Sequence, residues 1–140
     1  MTADVRGVVD FEGIGARRST FTVDGSIVYD AREVGNSPQV GLAVQLTGTE
    51  RVGLATDGSE VLGRLERVEQ DLFAVVQHQG GCSLPGGNAA TLTPGSQIVG
   101  ALLPGGGGGG IRTALVTDSH NARGNILNSA DPTAVKLMLD

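Results

Sequence analysis

The chain has 140 residues, of which 23 are glycine, three are phenylalanine, one is tyrosine and none is tryptophan. Ten basic and fifteen acidic residues give a formal net charge of −5. Because the charges are scattered and neither sign forms a block, we do not expect a nucleic-acid interface, which needs a concentrated basic surface. The length predicts one domain or two very small ones, with a core of valine, leucine and isoleucine that favours strands.

Targeting and redox signals are weak in this sequence. The single cysteine, Cys82, excludes an internal disulfide and so gives no indication of an oxidising compartment. No stretch approaches the roughly 18 apolar residues of a membrane span, and the first residues lack the pattern of an export signal. We therefore expect a soluble protein with no membrane contact.

The first twenty residues differ from the rest of the chain. They carry an apolar patch and then a pair of arginines: Val5, Val8, Val9, Phe11, Arg17 and Arg18. No tight hairpin turn folds the segment back on itself, so we predict that residues 1–20 form an extended arm that pairs with another subunit. The alternative is a first strand of the domain together with a flexible loop.

Residues 21–140 predict a compact β domain. Residues 21–23 and 27–29 flank Asp24 and Gly25, a two-residue hairpin signal. Residues 40–80 alternate apolar and polar side chains between short breaks, which predicts a meander of four strands with a bulge or bend near Gly63. The last of these strands is expected to end at Gly80 and Gly81.

The rest of the chain also consists of short apolar groups between turn signals, with less regular spacing. Short apolar groups between turn signals predict further strands at residues 90–92, 98–102, 111–116, 124–127 and 134–139. No stretch shows a sustained helical stripe. The predicted class is all-β, a small antiparallel β-barrel or sandwich with an extended N-terminal arm, built as one unit or as two lobes divided near residues 80–87.

The six consecutive glycines at residues 105–110 satisfy the G-x-G-x-x-G pattern of dinucleotide-binding loops trivially. That fold needs a strand before the glycines and a helix after them, whereas Pro104 precedes this run and strand-like residues follow it. We therefore predict a flexible surface connection.

Candidate catalytic and metal-binding residues are few. His78 and Cys82 are the one nucleophile–base pair available, but a turn at the intervening glycines need not bring them together. Two histidines and one cysteine cannot make a structural zinc site of four nitrogen or sulfur ligands within one chain, and Asp118 and His120 could at most join a weak site at a subunit axis. We predict no enzymatic activity, no cofactor and no metal.

Four stretches in fixed order resemble the small capsid decoration, or cement, proteins of tailed phages. They are FTVDGSIVYDA, VGLAVQLTGTERVGLATDGSEVLGRLERVE, GGCSLPGGNAATLTPGSQIVG and ARGNILNSADPTAVKLML. The resemblance runs from Phe21 almost to the C-terminus, and the six-glycine run is not part of it. It implies a compact, glycine-rich β module with Asp-Gly and Pro-Gly turns.

The resemblance also implies a function. Proteins of this kind are made in the host cytoplasm, bind the outer surface of the phage head and bridge neighbouring major capsid subunits, often as homotrimers. It would give this chain a virion location, the major capsid protein as its partner, and the arm as its contact with the capsid or with a sibling subunit.

The alternative is a small carbohydrate- or ligand-binding β module of a phage tail or head fibre. Sugar platforms usually rely on the faces of tryptophan or tyrosine. Tyr29 is the single residue of either type in the chain, which disfavours this interpretation.

Overall fold

The computed structural model describes residues 15–88 and 90–140, and the predicted all-β class is confirmed. The strands of these two ranges are β1 (Arg17–Val23), β2 (Ala43–Gly48), β3 (Arg51–Leu54), β4 (Gly63–Val68), β5 (Phe73–Leu84), β6 (Ile98–Ala101), β7 (Gly110–Thr113), β8 (Asn125–Asn128) and β9 (Val135–Leu139). Two single-turn 3-10 helices lie at Val34–Asn36 and Val116–Asp118.

The first five strands pair in a closed ring. Going round it, β1 pairs with β3, β3 with β2, β2 with β4, β4 with β5, and β5 again with β1. The β1–β3 pair is parallel, whereas antiparallel pairing was expected throughout. Two parallel neighbours need a crossover connection. Here the chain runs from β1 through the long segment after it and through β2 before it reaches β3.

Strand β5 is twelve residues long and belongs to two parts of the fold. It pairs with β4 up to Gln77 and with β9 from Gly80 onward, and β8 lies beyond β9. Strands β6 and β7 form a separate two-stranded sheet. The strand therefore does not end at Gly80 and Gly81 as predicted, because β9 pairs with β5 beyond the point where its pairing with β4 ends.

The buried side chains form two clusters. The ring encloses Ile27, Val44, Val52, Leu65, Val68, Ala74 and Val76. The second cluster contains Ala43, Ala55, Val61, Cys82, Leu84, Ile98, Ile111, Ile126, Val135, Leu137 and Leu139. Three members of the second cluster, Ala43, Ala55 and Val61, come from segments of the ring, so the two cores share chain segments as well as β5.

The hairpin predicted at Asp24 and Gly25 is wrong. The carboxylate of Asp24 accepts a hydrogen bond from the Ser26 N–H at 2.8 Å, and the Asp24 N–H donates to the Val52 carbonyl at 2.9 Å. This side-chain turn directs residues 27–29 into a loop, where Ile27 is buried in the ring. Strand β1 finds its partners in β3 and β5 instead.

Two other local predictions also differ from the structure. Residues 90–92 are not in a strand. The irregularity predicted near Gly63 lies between Leu65 and Arg67. A side chain at Gly63 would collide with the main chain of Gln77, so this glycine allows the close approach of β4 and β5.

The six-glycine run is a surface connection in its first half only. Gly105, Gly106 and Gly107 are exposed, with no atom near the position that a side chain would take. In contrast, Gly109 is buried at φ 111, its N–H donates to the Ala55 carbonyl at 2.8 Å, and its carbonyl accepts from the Ala43 N–H at 2.8 Å. The prediction of a flexible connection is wrong for the second half, because β2 and the segment after β3 bind it through the main chain.

Candidate interaction site

Four of the predicted contact residues, Val5, Val8, Val9 and Phe11, lie outside the described residues. Arg17 and Arg18 open β1, where they pair with Gln79 and Gln77 of β5. The predicted boundary of the arm at residue 20 thus falls inside a strand of the ring. The Arg18 side chain is 48% exposed, and its Nε lies 3.6 Å from Glu66 Oε1.

The structure does not bring His78 and Cys82 into one site. His78 Nε2 lies 2.8 Å from Ser19 Oγ, on the neighbouring strand β1. Cys82 is buried in the second core cluster. The ladder of β5 changes partner between these two residues, so the side chains have different surroundings.

Asp118 takes part in an ion-pair cluster. Its Oδ2 accepts from Arg112 Nη1 at 2.8 Å and from the Leu115 N–H at 2.9 Å. These two donors hold the pKa of the Asp118 carboxyl below its usual range, and Asp118 in turn raises the pKa of Arg112. Arg112 Nε also donates to Asp57 at 3.0 Å. Within the described ranges, no group of three or more His, Cys, Asp or Glu residues could hold a metal ion.

The most exposed apolar side chains lie on the two 3-10 helices. Val34 and Val116 are almost fully exposed, and Leu115 precedes Val116 at the surface. Isolated apolar residues are common on protein surfaces, so these positions do not by themselves define an interface.

A cleft of about 700 Å³ opens beside the ring. Its walls come from β2, the segment leading into β4, β5, the loop before β8, and the residue after β9. The lining residues are Gln45, Leu46, Ser59, Glu60, Val61, Leu62, His78, Gln79, Asn121, Arg123 and Asp140. The lining thus combines side-chain amides, two carboxylates and apolar side chains.

One wall of the cleft is an open edge of β2. Within the described chain, β2 pairs with β4 through Ala43 and Val44 alone. The Val44 carbonyl, on the β4 side, accepts from the Leu62 N–H at 2.7 Å, whereas the Ala43 carbonyl accepts from Ala55, on the β3 side. The main-chain groups of successive residues point alternately to the two neighbours of a strand. Those of Leu46 therefore point to the β4 side, where the pairing with β4 has already ended.

Arg123 closes the opposite wall, where β5 changes partner from β4 to β9. Its Nη1 donates to the carbonyls of Val61 and Leu62 at 3.2 and 2.7 Å, and its Nη2 donates to those of His78 and Asp140 at 2.8 and 2.6 Å. The side chain is 16% exposed. Arg123 therefore binds three main-chain segments, residues 61–62, His78 and Asp140, that no strand pairing connects at this point.

Sequence reasoning identified one part of this cleft and missed the others. The alternation in residues 40–80 predicted a strand through Leu46, but nothing in it indicated that the pairing partner of the strand ends beside this residue. Arg123 lies in a polar loop whose composition is typical of solvated surface. Its role depends on segments about 45 to 60 residues distant along the chain, for which the local sequence carries no signal.

Comparisons of the chain with protein-family models, with curated proteins and with solved structures found no match. Within the described ranges, the structure has no helix with the length and apolar character needed to cross a membrane.

Proposed function

We propose that this protein is a structural virion protein that binds the outside of a phage head and stabilises contacts between major capsid subunits. The observation that carries the proposal is the exposure of the strand at which the N-terminal segment joins the domain. Residues 17–20 of β1 are all exposed, although the strand is paired, and they include Arg17 and Arg18. The sequence resemblance to decoration proteins supports the same function.

The proposed contact combines apolar and charged groups. Val5, Val8, Val9 and Phe11 would supply apolar anchors, and the two arginines would pair with acidic groups of the capsid or of a sibling subunit. Each contact of this kind is modest in area. A homotrimer on a symmetric shell would multiply it, because each further contact of a bound trimer forms at a high effective concentration.

The test is binding to expanded heads that lack the protein, measured by co-sedimentation. We expect the full chain to bind in a fixed ratio to the capsid protein and a variant lacking residues 1–14 to lose most of that binding. Deleting residues 1–20 would be a poor test, because it removes four residues that pair with β5. Undiminished binding by the shorter chain would argue against the N-terminal contact, and no binding by the full chain would argue against the function.

A charge-reversal pair separates the arginines from the apolar anchors. We expect Arg17→Glu with Arg18→Glu to weaken head binding, and more so at low salt, where exposed charges are least screened. Arg32→Glu is the matched control, since Arg32 is an exposed arginine whose partner, Asp30, is two residues away. Equal binding by both variants would remove the arginines from the proposed contact.

The second candidate function is a carbohydrate- or ligand-binding module, and the cleft is the observation that favours it. The side-chain amide of Gln79 lies on its wall, beside those of Gln45 and Asn121, whose nitrogens already donate to main-chain carbonyls. Amides bind hydroxyl groups well. Binding of the purified protein on a glycan array, abolished by a bulky substitution such as Gln79→Trp, would support this function. An array without binding would argue against this function.

A further inference from the structure

We propose that residues 1–14 of the same chain occupy the cleft in the free protein, where they add an extended strand to the open edge of β2. The proposal concerns the protein before it meets any partner and does not depend on the function proposed above. Four features of the cleft and of the sequence lead to it.

The first feature is the unpaired edge itself. The main-chain groups of Leu46 face the cleft, because β4 leaves β2 after Val44. Backbone donors and acceptors on a strand edge are best satisfied by another extended main chain. The chemistry of this wall therefore favours a peptide strand over a compact ligand.

The second feature is an apolar position on the same wall. The Leu46 side chain is 54% exposed, although Val44, two residues earlier on the same strand face, is fully buried. In an extended segment, Val5, Val9 and Phe11 fall on one side, because alternate residues share a face. A strand with such a face would cover Leu46.

The third feature is the point at which the segment joins the domain. Arg17 pairs with Gln79, and Gln79 lines the cleft. Gly15, just before β1, lies in a turn at φ 64, a conformation that glycine adopts at little cost. Fourteen extended residues span roughly 45 Å, so the segment can easily reach Leu46.

The fourth feature is the covalent connection of the segment to β1. Attachment to the same chain makes contact with the cleft intramolecular, with an effective concentration in the millimolar range for a short linker.

Hydrogen exchange of the Leu46 amide tests the proposal directly. We expect this amide to exchange at least about tenfold more slowly in the full chain than in a variant lacking residues 1–14, at every protein concentration. The Gln45 amide is the internal control, because it lies on the β3 side of the ladder and should exchange equally in both proteins. Equal exchange of Leu46 in both would overturn the proposal.

Two further measurements identify the occupant. Val9→Pro removes a main-chain donor from the middle of the segment and should abolish the protection, whereas Thr2→Pro near its end should preserve it. A synthetic peptide of residues 1–14, added to the shortened chain, should restore the protection. Protection that grows with protein concentration and accompanies self-association would show that a second copy supplies the strand, and it would overturn occupancy by the same chain.

Discussion

At the scale of single residues, two arginines hold together parts of the chain that are distant in sequence. Arg123 joins β5 to the start of β4 and the end of β9 through main-chain carbonyls. Arg112 joins β7 to Asp57 and Asp118 through charge. Both guanidiniums use their planar set of donors to bind several acceptors at once, which a lysine could not do.

Replacing Arg123 should therefore destabilise the protein. We expect Arg123→Met to lower the free energy of unfolding by about 2–4 kcal/mol, because it leaves shielded carbonyls without a donor. Arg32→Met is the control: its side chain is 90% exposed, and its loss should change stability by less than about 0.5 kcal/mol. Urea unfolding measures both. Similar values for the two variants would show that water replaces Arg123 without cost.

The ion pair of Asp118 should make stability depend on pH. Since the pKa of this carboxyl is lowered on folding, its contribution is present above the unfolded value, near pH 4, and is lost as the pH falls through the lower folded value. We expect Asp118→Asn to be less stable than the parent at pH 7, and the difference to shrink towards pH 3. Urea unfolding at both pH values, with the exposed Glu33→Gln as control, measures this. A difference independent of pH would contradict the role of the charge.

At the scale of elements, the six-glycine run combines two structures in one uniform sequence. Its first half makes a turn closed by the Leu103 N–H, which donates to the Gly107 carbonyl at 2.6 Å. Its second half passes between neighbouring segments into β7. A run of identical residues contains no pattern that could locate this boundary, which depends on where Leu42 and Ala55 lie in space.

Alanine substitutions should distinguish the two halves. We expect Gly109→Ala to cost about 2 kcal/mol or more, because its φ of 111 is unfavourable for a side chain and its Cβ would lie 2.9 Å from Leu42 Cβ. Gly107→Ala has open space and no positive φ, so its stability should stay within about 0.5 kcal/mol of the parent. Thermal unfolding of both variants is the measurement. A Gly109→Ala protein as stable as the parent would mean that the six-glycine run can shift without loss of stability.

The sequence predicted strand content well and strand partners poorly. The alternation in residues 40–80 indicated β2, β3, β4 and the first part of β5, because each strand presents one buried face. It could not indicate that β5 continues to Leu84, since the glycines at 80 and 81 look like a turn until β9 is placed beside them. The cleft was not predicted, because the open β2 edge and the position of Arg123 both depend on long-range pairing.

At the scale of the whole molecule, the two clusters of buried side chains raise the question of one folding unit or two. Strand β5 contributes to both clusters, and Ala43 and Ala55 from the ring segments pack in the second. Loss of either cluster would therefore expose part of the other. We expect a single cooperative unit in which each half depends on the other.

Core substitutions in the two clusters should accordingly lower the same transition. We expect Leu65→Ala in the ring and Leu137→Ala in the second cluster each to cost about 2–5 kcal/mol, because both side chains are fully buried. Tyr29 fluorescence reports on the ring, and far-ultraviolet circular dichroism on the whole chain. Coincident transitions in both variants are the expected outcome. A Leu137→Ala protein that loses half its dichroism while the Tyr29 signal persists would show two independent units.

The open half of the glycine run has a practical consequence. Residues 105–107 protrude from a turn whose ends are held by main-chain hydrogen bonds, and no side chain packs there. A foreign peptide inserted between Gly105 and Gly106 would leave β6, β7 and the cleft intact. Every copy of the protein would then carry the insert. On a phage head bound as proposed above, the insert would be displayed as a dense, regularly spaced array.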